Sequence, residues 1–410
     1  MKIGIITFHF VNNQGAVLQS YALQKYLSNQ GHDVRIIDYR PKYHTVRYDS
    51  WKNPIRYSLW YFNMHKQDSI RRRSLLFTRS FLRCMYWNLM GTHRTNSRVF
   101  NSFISDKLTC TSKYESYKEL QKYPPQMDAY ITGSDQLWNP DLLDHDFDEA
   151  YFLNFGSNDI RKISYAVSIG KKLSEDECRK INKLCEHLDA VSLRESSPEL
   201  LKAIDRDVHI CVDPTLLLNA DDYTDIESEV VEKEPYVFVY GLETSDDIQQ
   251  AVQQVRNMCG FRVINGSPST VKLTDTNVIN VSDYAPDRFL SFIKNAEFVV
   301  TNSFHGTVFS ILYKKKFITV PHTTRGRRMI ELLNKLGLTG VLWGSSEFSI
   351  DNGIDYDSAY SKLTELRRAS AVYLEKALSG CRGEDIPHSI EEVGGCIDIN
   401  LNGKALLLDK

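Results

Sequence analysis

Short β-rich runs alternate with segments of helical apolar period along nearly the whole chain, and this alternation restricts the fold more than any other feature. Residues 3–8 are β-rich, 18–27 carry apolar residues at helical spacing and 34–37 form a second strand, a βαβ opening. Further strand runs follow at 128–133 (DAYITG), 162–169 (KISYAVSI), 190–194 (AVSLR) and 208–212 (VHICV), with a helical pattern at 175–188 among them. Near-continuous apolar runs of this kind belong to strands covered on both faces, so the pattern predicts parallel sheets flanked by helices.

The rhythm breaks at the acidic stretch 220–234, which reads as an exposed linker, and resumes with a strand at 236–240. Helix 248–258, strand 261–264, helix 286–295, strand 298–301, helix 308–312, strand 317–320 and helix 327–336 complete a second series. At 410 residues the chain is long enough for two cores. The expected layout is an N-terminal α/β domain over 1–220 with a helical insertion at about 41–100, and a C-terminal α/β domain over 230–355. A closing helix at 356–380 and a tail at 381–410 follow. The fold class is thus α/β, two Rossmann-like domains facing a cleft at the carboxyl ends of their strands, where such folds place ligands.

Fifty basic against fifty-two acidic side chains leave almost no net charge, so no nucleic acid partner is expected. The opening MKIGIITF is too short an apolar run for a signal peptide, and no other run reaches about 18 residues, which places the chain in the cytoplasm. Eight cysteines without a CxxC pair are expected to be reduced, with neither disulfides nor a bound metal.

One segment concentrates positive charge. Arg40, Lys42, Arg47, Lys52, Arg56, Lys66, Arg71, Arg72, Arg73, Arg79, Arg83, Arg94 and Arg98 face only Asp49 and Asp68, interleaved with Trp51, Trp60, Tyr61, Phe62 and Trp87. Residues 40–98 therefore suit either an anionic membrane surface, as in a peripheral membrane protein, or a solvated insertion whose aromatics pack on the sheet.

Strand-end loops supply the candidates for chemistry. The first turn is neither GxGxxG nor a P-loop, but Asn12, Asn13, Gly15 and Gln19 can hold sugar hydroxyls or simply make the turn. After the strand at 128–133, Asp135, Gln136, Trp138 and Asn139 offer hydrogen bonds and an indole face to a saccharide; the alternative is a capping aspartate and a packed tryptophan. FVVTNSFHGT at 298–307 brings Asn302, Ser303, His305 and Gly306 to a helix start, with His305 a natural proton carrier. Arg194 leaves a buried strand and can grip a carboxylate or phosphate; Lys314, Lys315, Lys316, Arg325, Arg327 and Arg328 add positive charge later.

Several separated motifs occur together: 13–19 (NQGAVLQ) with 21–24 (YALQ), 133–140 (GSDQLWNP), 192–195 (SLRE), 213–215 (DPT) and 301–306 (TNSFHG) followed by 309–312 (FSIL). In this order they resemble the polysaccharide pyruvyltransferase family. The resemblance implies a GT-B-like fold, phosphoenolpyruvate as donor without further cofactor, and a cyclic pyruvate ketal on two hydroxyls of a hexose as product. The acceptor would be a surface polysaccharide, as in an exopolysaccharide or capsule, or its lipid-linked precursor. It implies His305 as a catalytic residue and Arg194 as a catalytic and donor-binding one, with Asn302, Ser303 and Gly306 around the donor. Ser303 stands where some members have arginine, so Lys316 or Arg325 would have to supply a second donor clamp. The competing readings are a GT-B nucleotide-sugar glycosyltransferase, which usually offers a carboxylate to the ribose, and a non-catalytic saccharide-binding protein. The region 301–330 contains no carboxylate, with Glu331 just beyond it.

Overall fold

The computed structural model describes residues 1–46, 53–65, 68–90, 92–143, 146–196, 198–229, 232–268, 273, 277–282, 284–323, 326–350, 353–387, 399–401 and 404–406. The chain divides into two compact units, one of Met1–Ile210 with Leu374–Ile386, the other of Cys211–Tyr373 with Pro387–Lys410.

The first unit is built on a six-stranded parallel sheet of β1 (Lys2–Ile6), β2 (Asp33–Ile36), β3 (Ala129–Asp135), β4 (Arg161–Val167), β5 (Val191–Leu193) and β6 (Val208–Ile210), in the order β2-β1-β3-β4-β5-β6. Strands β1 and β3 are almost wholly buried, which explains their unbroken apolar runs. The helix Gln14–Asn29 starts where Asn13 accepts a hydrogen bond from the Ala16 amide, 3.1 Å. Gly133 permits the close approach of β3 to β4: its φ is +139°, and a Cβ there would lie 1.9 Å from the Tyr165 carbonyl oxygen. The insertion consists of helices Pro54–Met64, Ile70–Met90 and Thr92–Lys107.

The second unit has a five-stranded parallel sheet of β7 (Tyr236–Tyr240), β8 (Arg262–Asn265), β9 (Val278–Asn280), β10 (Phe298–Thr301) and β11 (Lys316–Thr319), ordered β11-β10-β7-β8-β9. Its core joins Val237, Val239, Val263, Val300 and Ile318 to Ile248, Ala251 and Val255 of the helix Asp246–Cys259. Helices Pro286–Asn295, Phe304–Leu312 and Arg327–Leu336 follow the periods of the sequence. Both units are thus Rossmann-like α/β layers, as a GT-B-like fold requires.

One sequence expectation needs correction, and two elements add to the sequence reading. The stretch 220–234 is no simple linker: it opens with the 3-10 helix Ala220–Ile226, which buries Tyr223 against Phe309 with ring centroids 5.1 Å apart. Strand β9 had no legible signal, because only three residues form it and none is fully buried. The helix Tyr356–Leu378 serves both units, its residues from Leu374 onward belonging to the first.

Candidate functional site

In the second unit, polar groups collect at the carboxyl ends of β7, β10 and β11. The Thr301 hydroxyl donates to the Tyr240 carbonyl oxygen at 2.6 Å and accepts from the Ser303 amide at 3.0 Å. Asn302 accepts from the Leu242 amide through Oδ1 (2.6 Å) and donates through Nδ2 to the Glu243 carbonyl oxygen (2.9 Å). Ser303 caps the helix Phe304–Leu312, accepting from the Gly306 amide at 3.4 Å. Asn302 and Ser303, expected to touch the donor directly, use their side chains with Thr301 to fasten the turn. Gly306 is needed at the turn because a Cβ there would lie 2.2 Å from Thr301 Oγ1.

The fastened turn presents His305 on the first helical turn, its side chain 10% exposed. Its Nε2 lies 3.7 Å from Asp213 Oδ2 and makes no hydrogen bond among the described residues. That separation is electrostatic contact rather than a hydrogen bond. Asp213 is itself anchored, its Oδ1 accepting from the Thr215 amide (3.0 Å) and hydroxyl (2.6 Å). A carboxylate held by its own turn thus orients an imidazole whose nitrogen can reach a further partner. The DPT motif carried this signal, though nothing in sequence distance links residue 213 to residue 305.

The cations are redistributed. Lys316 is exposed at the amino end of β11, paired in register with Phe298, whereas His305 follows the carboxyl end of β10. The two lie at opposite ends of neighbouring parallel strands, roughly 10 Å apart along them, so Lys316 supplies no donor clamp. Lys314 lies over the Tyr360 ring and the Lys315 ammonium donates to the Lys294 carbonyl oxygen. Arg325 is outside the described residues. Arg327 pairs with Glu331 at 2.7 Å, but the Arg328 guanidinium lies 5.6 Å from the ring centroid of Phe304, next to His305. The carboxylate missing from 301–330 arrives from another loop: Glu243 accepts from the Thr323 amide (2.6 Å) and hydroxyl (2.8 Å) and lies 3.4 Å from His322 Nδ1.

In the first unit Arg194 directly follows β5, with its side chain 2% exposed and Nε 3.6 Å from Glu195 Oε2. Glu195 Oε1 accepts from the Ser168 hydroxyl and from the Ile169 and Gly170 amides at 2.7, 3.1 and 3.3 Å, so Arg194 is backed by a buried, well-anchored carboxylate. Trp138 is fully buried, stacked on Phe152 at 4.8 Å with its indole N–H donated to the Tyr151 carbonyl oxygen. The expectation of sugar stacking is corrected: both faces of the ring belong to the core. Gln19 is also internal, bridging the Thr7 hydroxyl and the Ser134 amide; Gln136 and Asn139 are buried and bond each other. Gly15 is buried in the first turn of its helix. Asn12, Asn13 and Asp135 remain half-exposed, with Asn12 donating to the Ser97 hydroxyl and Asp135 in the left-handed region at φ 74°.

A family model described as polysaccharide pyruvyl transferase matches residues 13–324. The chain belongs to this family. The matched span includes Arg194, Asp213 and His305; Arg328 lies beyond it. No curated protein matches the chain. Among solved structures, the S. aureus MnaA–UDP complex aligns at TM-score 0.47 and 8% identity, over 95% of this chain and 100% of that one. A putative UDP-N-acetylglucosamine 2-epimerase from Listeria monocytogenes aligns at 0.44 and 7%, over 93% and 92%. The E. coli heptosyltransferase WaaC with ADP-2-deoxy-2-fluoro heptose aligns at 0.36 and 9%, over 89% and 99%. At these scores the neighbours carry no functional argument; membership in the pyruvyl transferase family rests on the sequence match. Among the described residues no group of three or more His, Cys, Asp or Glu side chains is placed to hold a metal, and no helix is long and apolar enough to cross a membrane.

Proposed function

We propose that the protein transfers pyruvate from phosphoenolpyruvate to two hydroxyls of one hexose in a surface polysaccharide or its lipid-linked precursor, forming a cyclic ketal. The supporting observation is that the span matched to the family contains a histidine on a buried helix start, with the Asp213 carboxylate 3.7 Å from its Nε2. Phosphoenolpyruvate carries a phosphate and a carboxylate, which call for a guanidinium and for the amide-rich positive end of a helix.

His305 delivers a proton to the methylene carbon, leaving a cation at C2. One sugar hydroxyl adds there and releases its proton, the C2–O bond to phosphate breaks, and the second hydroxyl closes the ring with loss of its proton. One proton is consumed at carbon and two are released, one of them leaving with phosphate; no electrons are exchanged. Arg328 and the helix start stabilise charge on the donor, while Arg194, preoriented by Glu195, is the anion-binding group of the first unit. Asn12, Asn13 and Asp135 are the acceptor contacts retained in this reading. No metal or cofactor enters the balance.

Acceptor-dependent phosphate release from phosphoenolpyruvate tests the reading, with β-galactosides, mannosides and N-acetylhexosamines as acceptors. Release should fall by roughly 10²–10⁴ in His305→Ala. Glu243 favours a second reading, a nucleotide-sugar glycosyltransferase, because it places a carboxylate beside 322–323. Thermal stabilisation by a nucleotide sugar and never by phosphoenolpyruvate would select that one.

A further inference from the structure

Helices Pro54–Met64 and Ile70–Met90 expose an unusual surface. Of thirteen large hydrophobic residues exposed among the described ones, eight lie on these two helices: Ile55, Leu59, Ile70, Leu75, Leu82, Met85, Tyr86 and Leu89. Leu89 is 82% exposed, Ile70 73% and Leu82 62%. Such clustering is not the scattered exposure normal for a soluble surface.

The pattern on the longer helix is ordered. At 100° per residue, Leu75, Leu82, Tyr86 and Leu89 fall within an arc of about 60°, together with Arg71. Arg79, Arg72 and Arg83 occupy roughly the next 60°. The opposite side faces the neighbouring helix, where Cys84 and Trp87 pack with Tyr57 and Trp60. The inner aromatics therefore account for the packing of this helix pair, and the outer stripe is not required by it. Neither helix contains an aspartate or glutamate. Arg56, Arg71, Arg72, Arg79 and Arg83 are all exposed, and Asp68 in the connection pairs with Arg72 at 3.4 Å.

We propose that this helix pair docks the protein on an anionic lipid bilayer, with Leu75, Leu82, Tyr86 and Leu89 entering the headgroup boundary and the flanking arginines meeting lipid phosphates. An apolar line bordered by arginines on a helix free of carboxylates matches an interface that is apolar below and anionic above. A second copy of the chain fits less well, because pairing the face with itself would bring like charges together. The proposal is independent of the reaction assigned to the protein.

The test is sedimentation of the full chain with phosphatidylcholine vesicles and with vesicles containing phosphatidylglycerol, at low and high salt, alongside light scattering without lipid. Binding should require phosphatidylglycerol and be released by salt, since screening shortens electrostatic reach from about 10 Å at 0.1 M to 3 Å at 1 M. Arg71→Gln with Arg79→Gln should weaken partitioning about 25-fold, taking about five-fold for each arginine near an anionic surface. Leu82→Ser with Leu89→Ser should weaken it at least as much. Because all four side chains are exposed, both variants should keep the far-ultraviolet circular dichroism of the parent. Equal binding to both vesicle types, binding unchanged in both variants, or a lipid-free dimer abolished by Leu82→Ser with Leu89→Ser and no vesicle binding by the parent would each overturn the proposal.

Discussion

Replacing Gly306 by alanine tests how the candidate site is held in place. An added Cβ would stand 2.2 Å from Thr301 Oγ1, 3.0 Å from its Cβ and 3.2 Å from its Cγ2. Reaching ordinary contact at 3.4 Å requires a shift of about 1.2 Å. The hydroxyl cannot simply rotate away, because it donates to Tyr240 and accepts from the Ser303 amide, and all these groups are buried. Losing those two bonds costs about 1 kcal/mol each, and forced overpacking typically costs about 1–3 kcal/mol. Alanine returns about 1 kcal/mol through helix propensity. The expected net loss is about 2–4 kcal/mol in the second unit, read as a lower urea midpoint and faster amide exchange in Phe304–Leu312. Thr301→Ala removes the clashing hydroxyl, so the double variant should lose about 1–2 kcal/mol less than the sum of the singles. Gly306→Ala as stable as the parent, or strict additivity in the cycle, would refute this account of the turn.

Asp213→Asn keeps an acceptor for Thr215 but removes the charge facing His305, so turnover should fall while the urea midpoint moves little; Asp213→Ala should lower both, with about 0.5–2 kcal/mol lost from the cap. Trp138→Ala should destabilise the first unit by about 3–5 kcal/mol, and Trp138→Phe should leave the acceptor KM unchanged because the indole touches only the core. Burial pushes the Asp38 carboxyl up, but hydrogen bonds and charge from His9 and Arg40 outweigh it and hold the carboxyl below its usual value of 3.8. A depressed folded-state value stabilises above the unfolded value and is lost as pH falls through the folded one, so the stability gap between parent and Asp38→Asn should be present near neutrality and close below about pH 4.

Much of the second unit was legible because its elements are long or strongly periodic. The helices Pro286–Asn295 and Arg327–Leu336 and strand β10 have the bounds that the apolar period predicts, and Tyr356–Leu378 ends within two residues of them. The position of His305 was legible for the same reason: a buried strand must end, and the residues after it must start a helix.

What the sequence by itself determined is therefore the α/β class, the series of strands and helices, the family, and which loops stand at strand ends. Those depend on local period and on motifs a few residues long. Only the tertiary structure decided which side chains within the loops are spent on packing. Trp138, Gln19 and Asn302 are polar or amphipathic residues near the right strand ends, yet each is buried and hydrogen-bonded to neighbouring backbone. Asp213 and His305 approach across about ninety residues, Glu243 reaches 322–323 from another loop, and Lys316 falls at the wrong end of its strand. Strand order and register set those distances, and neither is encoded in the neighbourhood of any one residue.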